Sequence, residues 1–156
     1  MNHIIGIGDY AITSHVEDTL ETYALASCVG VTVYSPAKKV AGMMHIVLPD
    51  DFGIKENILR PGYYATLGIP ILIKEMQYKY GCFKNELDIQ VFGGALSIRE
   101  NDFFNIGAKN LEMIKKIFLY TGVNYKLADV GGYMSRTIKM DAATGTIKIY
   151  TQPIKI

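Results

Sequence analysis

Tryptophan is missing from this 156-residue chain, and cysteine occurs only twice, at Cys28 and Cys82. Two cysteines supply neither a framework of bridges nor a Cys-x-x-Cys pair, which excludes a disulfide-stapled scaffold. A reducing cytosol suits that count, and there a lone cysteine stays a thiol. Charge of one sign is equally scarce, with sixteen Lys and Arg against fifteen Asp and Glu, a net +1. No basic stripe is available to displace counterions from a phosphate backbone, so nucleic acid is not an expected partner. The pairs Lys38-Lys39 and Lys115-Lys116 read as a turn and a solvated helix face. Long apolar runs are absent too. The longest, Ile69 to Ile73, falls far short of the ~20 residues that a membrane span needs, and the N-terminus lacks the pattern of a signal peptide. A cytoplasmic protein with no direct membrane insertion is expected. His3 and His15 have no ligand-like spacing with His45 or the cysteines, so no metal is expected. Gly6-Ile7-Gly8 lacks the third glycine of a dinucleotide fingerprint, and no other cofactor motif is present.

What is present is ordinary globular material. Hydrophobic residues make up 49% and charged residues 20%, enough for a normal core, and the length fits a single domain over residues 1–156. Ile4 to Gly8 reads as a first strand and Thr22 to Ser27 as a second apolar segment. Val29, Val31 and Val33 alternate with Gly30, Thr32 and Tyr34, the period of a half-buried strand. Ser35-Pro36-Ala37-Lys38 supplies a turn, and Val40 to Leu48 returns as the second arm of a hairpin. Ile69, Leu72, Ile73, Met76 and Tyr80 mark one face of a helix, in conflict with Pro70, where the helix is expected to begin or bend. Pro61 suits a first helical position and Gly81 a helix end. A second helix is expected from an Asn105 cap to Gly122, with Leu111, Ile114, Ile117 and Phe118 inward. Strands at 87–92, 125–130, 137–140 and 146–151 complete the pattern. The sum is an α+β fold, a layered sandwich of mostly antiparallel β-sheets with two main helices packed on one side.

Cys28 and His45 stand on opposite arms of the predicted hairpin, so their side chains are able to meet. A thiol needs such a partner, because the thiolate is the nucleophile and its pKa must be lowered to act near neutrality. Spacing alone fits two core residues equally well: a strand cysteine is commonly a small buried apolar group, and a lone histidine a satisfied core residue.

The surrounding pattern adds a family. Leu25-Ala26-Ser27-Cys28-Val29-Gly30-Val31, Gly42-Met43-Met44-His45 and Leu48-Pro49-Asp50 resemble the chemoreceptor glutamine deamidase family, CheD. The resemblance continues through Val91-Phe92-Gly93-Gly94-Ala95, Asn105-Ile106-Gly107-Ala108-Lys109-Asn110 and Asp129-Val130-Gly131-Gly132, then Arg136 and Thr144-Gly145. It implies Cys28 as nucleophile, His45 as general base and Thr22 as the hydroxyl that orients the histidine. It implies a hydrolase without cofactor that turns glutamines of chemotaxis receptor cytoplasmic domains into glutamates. It also implies a CheC-type phosphatase as a possible second partner.

Three places depart from the family pattern. Ala26 stands where glycine is usual, and a positive φ there would strain it. Tyr133 and Ser135 replace Asn and Gly, and Lys109 replaces an arginine able to bind in bidentate fashion. These departures bear on loop shape and substrate range. The changes at Tyr133 and Ser135 also keep open a non-catalytic regulatory module acting on the phosphatase, and the same machinery leaves open thiol chemistry on methyl esters of the same receptor sites.

Overall fold

The computed structural model describes residues 1–51, 60–99 and 102–154. Among the described residues, nine strands and two α-helices are arranged in three layers. One sheet has the order β1-β3-β8-β9, from β1 (Asn2–Ile4), β3 (Thr19–Leu25), β8 (Met134–Asp141) and β9 (Ile147–Pro153). The other has the order β2-β5-β4-β6-β7, from β2 (Tyr10–Thr13), β5 (Val40–Ile46), β4 (Val29–Ser35), β6 (Asp88–Gly93) and β7 (Lys126–Val130). Helices α1 (Ala65–Tyr78) and α2 (Ile106–Thr121) cover the far face of this second sheet. The α+β architecture, mostly antiparallel with helices on one side, is the one the sequence pattern predicts.

The central strands are covered on both faces, which corrects the half-buried expectation for β4. Every residue of β4 and β5 is buried. Successive side chains alternate across a strand. Val29, Val31 and Val33 therefore join Ile69, Leu72, Met76, Ile114 and Phe118 in the core beneath the helices. Tyr34, Ala41 and Met43 turn the other way, into a second core with Leu20, Leu25, Ile138 and Met140 of the facing sheet. The polar-looking alternates of β4 face a sheet, not water. Burying each large aliphatic side chain in these cores contributes roughly 1.5–3 kcal/mol.

Local details differ from the sequence expectations for physical reasons. The segment expected as one strand over Ile4–Gly8 divides: β1 ends at Ile4, Gly8 takes φ +79°, and the chain re-enters as β2 at Tyr10. Pro61 opens a short 3-10 turn over Pro61–Tyr63, and α1 starts after it at Ala65. The helix runs through Pro70, which removes only the bond to the carbonyl of Thr66 near its start. Gly68 lets α1 come close to β5, since a Cβ there would lie 2.7 Å from Met44 Sδ. Two strand pairs are parallel, β1 with β3 and β6 with β7. The second arises because α2 supplies the long crossover that parallel neighbours require. Asn105 and Gly122 do bound α2, both with positive φ, but the Asn105 side chain makes no capping bond. No helix among the described residues is long and apolar enough to cross a membrane.

Candidate active site

Thr22, Cys28 and His45 come from three neighbouring segments, and the route of the chain explains where each is placed. Strand β3 pairs with β8 through Thr22↔Ile138 and then Leu25↔Arg136, so β3 carries one residue more than its partner. The extra residue bulges at Tyr23-Ala24, both exposed, with Ala24 at φ +56°. Bulges re-aim side chains and end pairing. Here Leu25 returns to the core, and the chain crosses to the other sheet through Ala26, Ser27 and Cys28. Among the described residues the non-glycine positive φ angles are at Ala24, Lys39 and Asn105, so the strain expected at Ala26 lies at Ala24 instead.

The Ala26–Cys28 segment is pinned by the glycine turn after β6. Gly94 N–H donates to the Cys28 carbonyl at 2.9 Å, and Ala95 N–H donates to the Ala26 carbonyl at 2.7 Å. Gly93 holds φ +98°, and any side chain there would collide with the Cys28 carbonyl oxygen. Ser27 is exposed, whereas Cys28 is half-buried and packs against the inter-sheet core. Its thiol is free. Burial pushes the thiol pKa up, opposite to the lowering expected from an adjacent imidazole, because desolvation disfavours the thiolate.

His45 lies directly opposite Gly30 in the β4–β5 ladder. Cys28 precedes Gly30 by two residues, just beyond the end of that ladder, and packs against the inter-sheet core. The ring is buried, at 2% exposure. Thr22 Oγ1 lies 2.7 Å from His45 Nδ1 and 2.8 Å from the Ile5 carbonyl. A carbonyl only accepts, so the one hydroxyl proton goes to Ile5, and Nδ1 must carry the ring proton. Nε2 is then the bare, basic nitrogen, and it has no hydrogen-bond partner among the described residues. Burial lowers the His45 pKa from 6.5 to about 4, partly opposed by the charge of Asp9. The pair therefore rests as thiol and neutral imidazole. Such an arrangement serves general-base activation of a thiol at the moment of attack.

A cleft of about 310 Å³ opens beside this segment, lined in part by Ala26, Ser27, Leu96, Arg99, Asp102 and Ile106. Of the departures from the family pattern, Ala26 lines this cleft. Tyr133 is exposed on a turn formed by Gly131 and Gly132, whose φ angles are +73° and +60°. Ser135 is half-buried in β8, opposite Gln152. Lys109 places its ammonium 5.6 Å from the centre of the Phe104 ring, a cation–π contact in place of a fork. Arg136 is buried and donates from Nε and Nη2 to Asp129 Oδ1 and from Nη1 to the Met134 carbonyl, behind the glycine turn. His3 and Cys82 stand apart from the site: His3 Nε2 lies 2.8 Å from Asp18 Oδ2, and Cys82 is buried as a free thiol.

Two contributors went unassigned by sequence reasoning. The Ile5 carbonyl, which fixes the threonine hydroxyl, has no side-chain signature at all. Asn110 donates to the carbonyls of Ser27 and Val47 from α2. Its signal was a polar residue on the buried stripe of an amphipathic helix.

An oriented imidazole and a half-buried free thiol on neighbouring segments, with an adjoining cleft, are groups able to act as base and nucleophile. A family model described as CheD chemotactic sensory transduction matches residues 47–151, and the chain belongs to that family. It is 40% identical over 152 residues to the probable chemoreceptor glutamine deamidase CheD of Syntrophotalea carbinolica, covering 94% of this chain and 91% of that protein. It is 34% identical over 149 residues to the chemoreceptor glutamine deamidase CheD of Thermotoga maritima, covering 96% and 91%. Two solved structures, the hypothetical protein YfiH of Bacillus licheniformis and YlmD of Geobacillus stearothermophilus, share 13% identity at a TM-score of 0.49. The chain spans 50% and 62% of their lengths.

Proposed function

We propose that the chain deamidates glutamine side chains of chemotaxis receptors, with Cys28 as nucleophile, His45 as general base and acid, and Thr22 as the residue that orients the ring. The observation that carries the reading is the Thr22–His45 hydrogen bond, which leaves a bare Nε2 on His45, with the half-buried Cys28 thiol just beyond the end of the same ladder. Membership of the CheD family supplies the substrate class.

Cys28 Sγ attacks the δ-carbon of the glutamine carboxamide while its proton passes to His45 Nε2. The carbonyl oxygen becomes an oxyanion, for which the Cys28 backbone N–H is the candidate donor. The imidazolium then gives its proton to the amide nitrogen, the C–N bond breaks, and ammonia leaves a thioester on Cys28. Water attacks the thioester with His45 again taking a proton, and glutamate departs as the thiol is restored. One water is consumed and one ammonia released. The depressed His45 pKa keeps the base unprotonated near neutrality, and proton transfer is coupled to attack rather than completed beforehand.

The substrate segments lie in the cytoplasm on this reading, and the chain is placed there with them. A CheC-type phosphatase is included as a second partner on the strength of the family pattern. The test is incubation of the full chain with a receptor cytoplasmic fragment, read by mass spectrometry. Glutamine becomes glutamate with the natural sequence and stays glutamine with Cys28→Ala. Undiminished conversion by Cys28→Ala overturns the assignment.

A further inference from the structure

We propose that Asn110 is a positioning residue for the reaction: its carboxamide extends the β4–β5 ladder past its last pair and fixes the thiol against the imidazole. The inference rests on the Cys28–His45 reading above. The ladder joining the two arms stops at Val29↔Ile46. Cys28 and Val47, which would form the next pair, lie beyond it, so regular strand pairing ends one residue short of the nucleophile.

Asn110 occupies that gap. Its Nδ2 donates to the Ser27 carbonyl at 2.9 Å and to the Val47 carbonyl at 3.0 Å. Ser27 immediately precedes the nucleophile, and Val47 follows the base by two residues. The two contacts span 83 and 63 residues of sequence and meet on one nitrogen. A primary amide nitrogen has two protons, so one side chain ties both arms at once. A serine has one such proton and a carboxylate none.

The anchor itself is rigid. Asn110 is fully buried, on the inner face of a 16-residue helix. One turn earlier Gly107 lies against Ala95, where any Cβ would collide with the Ala95 carbonyl oxygen. Ala95 is the residue whose N–H holds the Ala26 carbonyl. The first turns of α2 therefore press on the nucleophile segment from two sides. Asn110 Oδ1 is buried without a hydrogen-bond partner among the described residues, so the two donors account for the amide at this position.

A clamp of this kind acts on turnover. Displacing a reacting group by about 1 Å can cost on the order of 10²-fold in rate. The experiment compares the natural chain with Asn110→Ala and with Asn110→Leu, an apolar side chain of similar volume that serves where the smaller residue leaves the chain unfolded. Deamidation of a receptor fragment is measured as kcat per folded molecule and as KM, with Cys28→Ala run beside them. The expected result is a 10- to 100-fold loss of kcat with KM changed less than about threefold. A folded variant whose kcat stays within twofold of the natural chain overturns the role of Asn110, even if its melting temperature falls. Undiminished turnover in Cys28→Ala overturns the dyad itself and takes the clamp with it, so the two failures are distinguishable.

Discussion

Thr22 Oγ1 stands 2.7 Å from His45 Nδ1, and the same hydroxyl reaches the Ile5 carbonyl at 2.8 Å. A single threonine proton therefore determines which nitrogen of the ring is a base. The contact crosses between the two sheets, from β3 to β5, so it couples the ring's tautomer to the packing of the sandwich.

Thr22→Val keeps the shape and removes the hydroxyl. The ring then loses its acceptor at Nδ1 and turns or changes tautomer, and a buried ring N–H and the Ile5 carbonyl lose their partner. The expected outcome is at least a tenfold loss of kcat in deamidation and a loss of about 1–3 kcal/mol of stability. Thr22→Ser retains the hydroxyl and is expected to keep most of the turnover. Equal kcat for the valine variant and the natural chain would remove Thr22 from the site.

Burial of His45 makes stability depend on pH. The unfolded ring titrates near 6.5 and the folded ring at about 4. Between those values the unfolded chain binds more protons, so the contribution is complete above pH 6.5 and is lost as pH falls toward about 4. The shift corresponds to about 3 kcal/mol. Urea unfolding across this window should show a steeper decline for the natural chain than for His45→Gln, in which the titrating ring is gone. Parallel curves for the two would mean that the ring is accessible to protons in the folded state.

The Cys28 thiol is expected to behave as a buried one. Its pKa lies above the ordinary 9.0 because desolvation penalises the thiolate. The rate of iodoacetamide modification at Cys28, followed by peptide mass mapping, should rise about tenfold per pH unit through neutrality and level off only above pH 9. A plateau near pH 7 would indicate a resting thiolate–imidazolium pair and would replace coupled proton transfer with prior ionisation.

The parts of this protein legible in the sequence are those whose signals are local. The β4–β5 hairpin announces itself through alternation and the Ser35-Pro36 turn, and with it the placing of His45 on one arm and of Cys28 just before the start of the other. The second helix is marked by Asn105 and Gly122 at its ends. Thr22 was named only through the family resemblance, since nothing in a strand threonine says that it will meet a ring 23 residues away. Strand β2 escaped notice because its four residues follow a glycine-rich turn and carry little periodicity of their own. The parallel pairing of β6 and β7 depends on how α2 folds back, and the burial of Thr32 and Tyr34 depends on a second sheet. Neither is written in the strand that shows it. Asn110 is the sharpest case, because its importance lies in two carbonyls that any residues at positions 27 and 47 would have provided.

The bulge in β3 gives the last prediction. Alanine at φ +56° is in a region that disfavours a Cβ, and the Ala24 side chain is exposed, so it gains no core packing in return. The Ala24 N–H donates to Thr137 Oγ1 at 3.1 Å, a bond that glycine keeps. Ala24→Gly should therefore raise stability by about 1 kcal/mol, which is a rise of roughly 2–4 °C in melting temperature for a chain of this size, with kcat unchanged. Ala26→Gly is the contrasting variant. Its φ is not positive, so glycine there only adds freedom to the unfolded chain and should cost about 0.5–1 kcal/mol. Ala24→Val adds a branched side chain at the strained position and should destabilise by about 2 kcal/mol or more. Because the bulge sets where β3 leaves Thr22 and where the chain reaches Cys28, the valine variant should also lose turnover per folded molecule. Calorimetric melting of the three variants alongside deamidation assays checks the order. A stabilised Ala26→Gly with a destabilised Ala24→Gly would move the strain back to the position beside Ser27.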